Sequence, residues 1–353
     1  MQAENQLYQS IQWEDDKLTI IDQTKLPGKE EYIELETVGD VWEAIRALKV
    51  RGAPAIGITG AYGLYLASRS VKTDLFDEFI TESKKAADYL NSSRPTAVNL
   101  SWALSHTLKR LEEKKELPVP DLKRLILQTA IEIHDEDRQL CKQIGEHGQE
   151  LISDGARILT HCNTGGLATG QYGTAFSVIY HAHLKGKVEK VWVDETRPLL
   201  QGARLTTWEL QKAGIPFSLN IDSAAGYLMQ QNLVDLVIIG ADRITANGDA
   251  ANKIGSYALS VLANAHNIPF YVAAPYSTID MDHATGAEIE IEQRSGAEVT
   301  QFGNSKIAPE NIHVFNPAFD VTPHKNIAAI ITEKGIIYPD FENNLGQQFL
   351  KPA

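Results

Sequence analysis

From residue 157 onward the chain alternates short apolar runs with amphipathic stretches. "RILTH" (157–161), "KVWVD" (190–194), "PFSLN" (216–220), "DLVIIG" (235–240) and "PFYVA" (269–273) are short, β-branched and almost wholly apolar. That is the pattern of strands buried on both faces. Helical segments are predicted between them, near 171–184, 203–213, 224–231 and 253–266. Strand and helix in strict alternation predict a parallel, doubly wound, Rossmann-like sheet of the α/β class. The first part of the chain has another rhythm. "KLTII" (17–21) and "EYIEL" (31–35) read as strands on either side of a "KLPGKE" turn, and Thr37 with Asp40 three residues on reads as a capping box. Helices are predicted near 58–69, 75–91 and 97–114. A longer amphipathic stretch runs from Asp121 to about Ile152, with Leu122, Leu125, Ile126, Ala130, Ile133 and Leu140 on its apolar face. The expected organisation is a smaller N-terminal α+β domain over 1–145 and a Rossmann-like domain over 146–353 that carries most of the active site.

Ligands of doubly wound sheets sit outside the carboxyl ends of the strands. Here those ends read "HCNTGG", "DETRPLLQG", "IDSAAGY", "GADRITANGD" and "APYST", five in a row rich in small and polar residues. Composition narrows the ligand. A net charge of −13 argues against a phosphate-tracking nucleic-acid surface, yet leaves room for a small anion held by a few local cations. The two cysteines, Cys141 and Cys162, imply no disulfide framework and suit a reducing cytoplasm. The opening "MQAENQLYQSIQWEDD" has neither a basic segment nor an apolar core, so no secretory signal is expected, and no apolar run is long enough to span a bilayer.

His161 beside Cys162 invites a nucleophile–base reading, but consecutive strand residues point to opposite faces, so the pair diverges and His161 reads as a packed residue. Cys162, at a strand end before a glycine turn and a helix, is either a thiolate favoured by the helix N-terminus or a small buried side chain. Cys141, inside the long amphipathic helix, reads as core. "GGLATG" echoes the dinucleotide fingerprint loosely, with Asp194-Glu195 ending the next strand, but it is GGxxxG rather than GxGxxG. An anion-binding glycine turn needs no nucleotide. In "IIGADRITANGDAANKIG" (238–255) an apolar strand delivers Asp242 and Arg243 to its end, and Asn252-Lys253 are expected to open a helix. Desolvation at the strand mouth would lift the Asp242 carboxyl toward the general acid–base range, and Lys253 with the helix amides would hold a phosphate. The alternative is an Asp242–Arg243 ion pair closing a loop. Arg51 and Arg94 each sit in a turn of Gly, Pro or Ser, and Arg197, Gln201 and Arg204 follow another strand end. The ten histidines show no metal-ligand spacing, so no metal is expected. The residues thus suggest a phosphate-bearing small molecule at the sheet edge, beside one thiol and one carboxylate.

"RGAPAIG", "NSSRPTAVNLSWAL", "CNTGGLATGQYGTA", "ETRPLLQGARLTTWEL", "GADRITANGDAANKIGSY" and "VFNPAFDVTPHKNIAAIITEKGII" occur here in one order. In that order and over nearly the whole chain they resemble the S-methyl-5-thioribose-1-phosphate isomerases of methionine salvage. Those belong to the wider initiation-factor-2B alpha/beta/delta-like family, with translation-factor regulatory subunits, ribose-1,5-bisphosphate isomerases and deoxyribose-phosphate relatives. The chain keeps the cysteine of "CNTGG" and the aspartate of "GADRI", which a purely regulatory relative would not need. The resemblance implies a small N-terminal domain before a Rossmann-like one, a homodimer, and a sugar-phosphate substrate without cofactor. It implies Asp242 as proton donor and Cys162 as the group that stabilises the transition state or moves the proton. It implies Arg51, Gly52, Ala53, Arg94, Gln201, Asn252 and Lys253 as substrate-binding residues. The other readings are a non-catalytic sugar-phosphate- or nucleotide-sensing subunit and a nicotinamide oxidoreductase using the glycine turn.

Overall fold

The structure is a computed structural model that describes residues 8–95, 97–303 and 305–350; the opening residues 1–7 lie outside them. The chain forms two compact units. The first comprises residues up to Gln139 together with Gly165–Gly173, and the second comprises Leu140–Thr164 and the chain from Thr174 on.

In the first unit, strands β1 (Ile11–Glu14), β2 (Lys17–Ile21) and β3 (Tyr32–Leu35) pair antiparallel, with Ile11 opposite Ile20 and Leu18 opposite Leu35. Alternation places Ile11, Leu18, Ile20 and Leu35 in one core with the helices. Those helices are α1 (Val38–Arg46), α2 (Ala53–Arg69), α3 (Phe76–Ser92), α4 (Val98–Glu113) and α5 (Val119–Gly148). The Thr37–Asp40 capping box opens α1 as the sequence predicts. α2 starts earlier than expected, because Gly52 caps it and "APAIG" is its first turn rather than a loop, with proline just inside the start. α2 is the buried centre of the unit. Its Gly57 leaves no space for a side chain against the Asn99 backbone of α4. Trp13 of β1 stacks on Tyr62 of α2 at 5.2 Å.

The excursion Gly165–Gly173 was not foreseen as part of this unit, and its backbone is held point by point. Ser10 Oγ donates to the Gly166 carbonyl (2.6 Å), Gln23 Nε2 to that of Leu167 (2.7 Å), and the Ala55 amide to that of Ala168 (3.2 Å). Asp137 accepts the Gly170 amide while His134 Nε2 meets the Gly170 carbonyl at 3.3 Å. Gly52 passes so close that a Cβ there would overlap the Ala168 backbone, and its φ of 94° is one glycine adopts freely.

The second unit is built on a seven-stranded sheet. Its strands are β4 (Ala156–Thr160), β5 (Val188–Asp194), β6 (Phe217–Asn220), β7 (Leu236–Ile239), β10 (Phe270–Ala273), β15 (Ala329–Thr332) and β16 (Gly335–Ile337). The order is β16-β15-β10-β7-β4-β5-β6, all parallel except β16. The order therefore reverses between β4 and β7, as in doubly wound dinucleotide-binding sheets. All five predicted strands are present within a residue or two. A second sheet, unread from sequence, joins β11 (Ile279–Asp280), β8 (Arg243–Thr245), β9 (Ala250–Lys253) and β14 (Phe319–Thr322) in that order. Two residues each form β12 (Gln301–Phe302) and β13 (Ser305–Lys306). The helices are α6 (Ala175–Leu184), α7 (Thr207–Ala213), α8 (Ala225–Gln230), α9 (Ser256–Ala265), α10 (Ala297–Thr300) and α11 (Phe341–Leu350). β7 and β15 are buried at every residue, which accounts for the apolar sequence of β7 and of all but the terminal Thr332 of β15. Among the described residues no helix is long and apolar enough to cross a membrane.

His134 gives this fold a pH dependence. Burial pushes its imidazole down to about 4, and the neutral ring bridges the Tyr62 hydroxyl and the Gly170 carbonyl. The unfolded chain binds a proton at this residue near pH 6.5 and the folded chain does not, so stability is full above that value and falls as pH drops toward about 4. The loss assignable to His134 is about 3 kcal/mol. Denaturant unfolding followed from neutral to acid pH, beside His134→Gln, should show the wild-type slope flattened in the variant.

Candidate active site

The β4–β7 pairing sets the frame. Ile158 lies opposite Leu236 and Leu159 opposite Val237, and Thr160 Oγ1 donates to the Ile238 carbonyl at 2.9 Å. Past these aligned ends come Cys162 on one strand and Asp242 on the other. They flank the reversal in strand order, where doubly wound sheets open a crevice. The two backbones stay close, since a side chain on Gly240 would run into Thr164.

Cys162 is 9% exposed and adopts φ +64°. Non-glycine residues rarely sit in this left-handed region, and doing so costs on the order of 1–3 kcal/mol. Hydrogen bonds fix it from both sides. Its amide donates to Thr196 Oγ1 (2.9 Å), and its carbonyl accepts from Thr206 Oγ1 (2.6 Å). Thr196 is itself left-handed at φ +65°, held by its amide on Asp222 (2.7 Å) and its hydroxyl on the Asp194 carbonyl (3.0 Å). Asn163, next along, donates to Thr206 Oγ1 and to buried Glu209. The expected helix does not begin at the glycine turn. α6 starts at Ala175, after the excursion, where the Thr174 amide closes on the Thr164 carbonyl at 2.8 Å.

Asp242 is exposed rather than desolvated. Its amide donates to the Ala251 carbonyl (2.9 Å), which seats it at the base of the β8–β9 hairpin. The neighbouring Arg243 guanidinium reaches Asp280 at 3.1 Å. Asn252 and Lys253 lie on strand β9, not at a helix start. Asn252 is buried and donates to Ser256 Oγ (3.1 Å). Lys253 Nζ donates to the Ala318 carbonyl (2.8 Å) and lies over the Phe319 ring. The amides at the start of α9, expected to cradle a phosphate, are taken by Asp320, whose carboxylate accepts from Gly255 (2.7 Å) and Tyr257 (2.9 Å). Burial pushes the Asp320 carboxyl up, against the pull of those amides. Sequence carries no local signal for this cap, because Asp320 arrives from a strand formed far along the chain.

Gln201 precedes a π-helical turn over Gly202–Thr206 that leads into α7. Such turns recur at functional sites. Gly202 is needed there because any Cβ would collide with the Asp194 carbonyl. Gln201 is 6% exposed, and its buried Oε1 has no hydrogen-bond partner among the described residues. Thus Cys162, Asp242 and Gln201 follow the carboxyl ends of β4, β7 and β5, and Asn252 and Lys253 sit on β9, whose partner strand β8 continues from Asp242.

Arg51, Gly52, Ala53 and Arg94 belong to the first unit. Arg51, Gly52 and Ala53 lead into α2 and Arg94 lies between α3 and α4, all partly buried. His161, Asp194 and Asp222 place ligand-type atoms within 4.8 Å of one another. Asp194 and Asp222 hold His161, Asn220 and the amides of Thr196 and Arg197, so their atoms are committed to hydrogen bonds.

Comparison with known proteins places this geometry. Residues 49–339 match the model of the Initiation factor 2 subunit family. A methylthioribose-1-phosphate isomerase of Desulforamulus reducens is 52% identical over 338 residues, covering 96% of this chain and 98% of its own. A 5-deoxyribose 1-phosphate isomerase of Moorella thermoacetica is 54% identical over 337 residues, 96% of each chain. Among solved structures, the 5-methylthioribose 1-phosphate isomerase of Pyrococcus horikoshii OT3 superposes with a TM-score of 0.94 at 46% identity, covering 98% of this chain and 96% of that one. The chain belongs to the Initiation factor 2 subunit family.

Proposed function

We propose that this protein is an aldose–ketose isomerase that converts 5-methylthioribose 1-phosphate to 5-methylthioribulose 1-phosphate in methionine salvage, working in the cytoplasm. One observation carries the reading: a strained, hydrogen-bonded cysteine and an aspartate leave adjacent strands at the reversal of a doubly wound sheet. Relatives matching almost end to end at about half identity are named for this reaction.

The substrate's anomeric oxygen carries the phosphate, so no free hemiacetal opens to an aldehyde. In the mechanism we favour, Asp242 protonates the ring oxygen as the C1–O bond breaks. C1 becomes an oxocarbenium carbon that keeps its phosphate. The Cys162 thiolate then takes the C2 proton, and the C2–H electrons form a C1–C2 double bond. Return of a proton to C1, with loss of the C2 hydroxyl proton to the Asp242 carboxylate, leaves the C2 ketone. Atoms and charge balance without a cofactor. A hydride passing directly from C2 to C1 is the competing route. Gln201 Oε1 is suited to a sugar hydroxyl, and Lys253 with Asn252 to the phosphate side. Arg51, Gly52, Ala53 and Arg94 enter as substrate ligands through the family pattern alone. A second reading, 5-deoxyribose 1-phosphate as substrate, is favoured by the name of the Moorella relative. The two sugars differ by one thioether, which an apolar pocket discriminates by about 1–3 kcal/mol.

We also propose that the chain works as a homodimer. α8 packs against α9, and the pair exposes Tyr227, Tyr257 and Val261, while the edge strand β6 exposes Leu219. An apolar face beside an open sheet edge suits a second copy.

Four measurements check these proposals. Coupled assay of ketose formation from methylthioribose 1-phosphate should show turnover, and Asp242→Asn and Cys162→Ser should each cut kcat by at least ~10²-fold with the fold retained. The same assay on 5-deoxyribose 1-phosphate should give a lower kcat/KM; a higher one would favour the second reading. Turnover in heavy water should place deuterium at C1, whereas its absence supports the hydride. Sedimentation should give twice the chain mass, and a monomer at working concentration contradicts the dimer.

A further inference from the structure

The mechanism makes no use of His161, yet His161 is one of the most tightly held side chains in the second unit. It is 1% exposed, follows the last residue of β4 and precedes Cys162. Its Nδ1 lies 2.9 Å from Asp194 Oδ2 and its Nε2 lies 2.9 Å from the Ile254 carbonyl oxygen. A carboxylate and a carbonyl can only accept. A neutral imidazole offers one N–H and one lone pair, so either tautomer would set a lone pair against an acceptor. With Asp194 ionised, only the imidazolium satisfies both contacts; the competing state is a neutral ring facing a protonated Asp194, which burial of that carboxyl favours and a single ring N–H would reveal.

The surroundings agree. Asp194 comes from the end of β5 and is oriented by Asn220 Nδ2 on its other oxygen at 2.7 Å. Asp222 from the turn after β6 and Asp320 from β14 also face the ring electrostatically. Burial disfavours the cation, and the hydrogen bond and charge of Asp194 overcome it, so His161 is shifted upward. The ring also fits against one particular turn. Gly255 has φ +108°, and a Cβ there would press on the imidazole at 2.9 Å.

We propose that His161 is a positioning residue held as an imidazolium, a cationic clamp joining the strand end that carries Cys162 to the turn beside Lys253. Through Asp194 the clamp also grips the β5 end, where Thr196 holds the Cys162 amide. Its catalytic consequence rests on the isomerase reading above; its charge state does not.

The test uses the full-length protein with 15N-labelled histidine. NMR at neutral pH should show both His161 ring nitrogens carrying protons, and any titration should lie above the ordinary histidine value. A single ring N–H, or titration near the ordinary histidine value, overturns the clamp whether or not the protein turns over any sugar phosphate. Asp194→Asn is an isosteric probe: its amide can donate to Nδ1 while its oxygen still accepts from Asn220. The ring should then be neutral, and kcat should gain an acid limb that the wild type lacks. His161→Leu should lower kcat by about 10²-fold, with KM less affected. Unchanged kcat per folded molecule, or a wild-type pH profile in Asp194→Asn, contradicts the proposal. If His161→Leu does not fold, the NMR and the Asp194→Asn profile decide it. Loss of all turnover in the wild type, with the double N–H signal present, would sink the isomerase reading and leave the clamp standing.

Discussion

The parallel pairing of β4 with β7 is the constraint on which the rest depends. Parallel strands hold their carboxyl ends on one edge, and here they are neighbours in space although the helices and strands of nearly eighty residues separate them in sequence. Because strand order reverses between these two, their connecting helices depart in opposite directions and leave the edge open. Cys162 and Asp242 follow the ends of neighbouring strands that backbone hydrogen bonds align within a buried sheet. Such a scaffold holds functional groups more firmly than loops alone do.

Around that edge, polar groups are distributed so that few are left over. The strained turns at Cys162 and Thr196 persist because each amide, carbonyl and hydroxyl there has a partner. Asp320 consumes the amides that open α9, which removes the obvious anion cradle from that helix. Among the described residues, Gln201 Oε1 and Asn220 Oδ1 are buried acceptors near that edge with no hydrogen-bond partner. In the first unit the Gly165–Gly173 excursion shows the same economy, with serine, glutamine, histidine and aspartate side chains pinning a loop that has little side-chain bulk of its own.

Much of this was legible in the sequence, for physical reasons. Strands buried on both faces are mostly apolar, so β7 and β10 and the apolar parts of β4 and β5 announced themselves, and the polar residues after them marked the edge. β8 and β9 did not, because "RIT" and "AANK" are short and mixed, half turn and half strand. That misread Asn252 and Lys253 as a helix start. The early start of α2 was hidden because glycine and proline mark a loop and a helix opening alike. The Asp320 cap, the His161–Asp194 ion pair and the Arg243–Asp280 pair join residues 33 to 65 apart or from separate strands, and no local pattern encodes them. Left-handed Cys162 was equally silent, since only glycine and asparagine advertise that conformation.

A crystal structure of the protein equilibrated with its ketose phosphate product tests the central claim most directly. The account predicts the product's C1–C2 bond lying between Cys162 Sγ and the Asp242 carboxylate, with Gln201 Oε1 on a sugar hydroxyl. A sugar phosphate bound away from the ends of β4 and β7, or touching only one of those two groups, would contradict it.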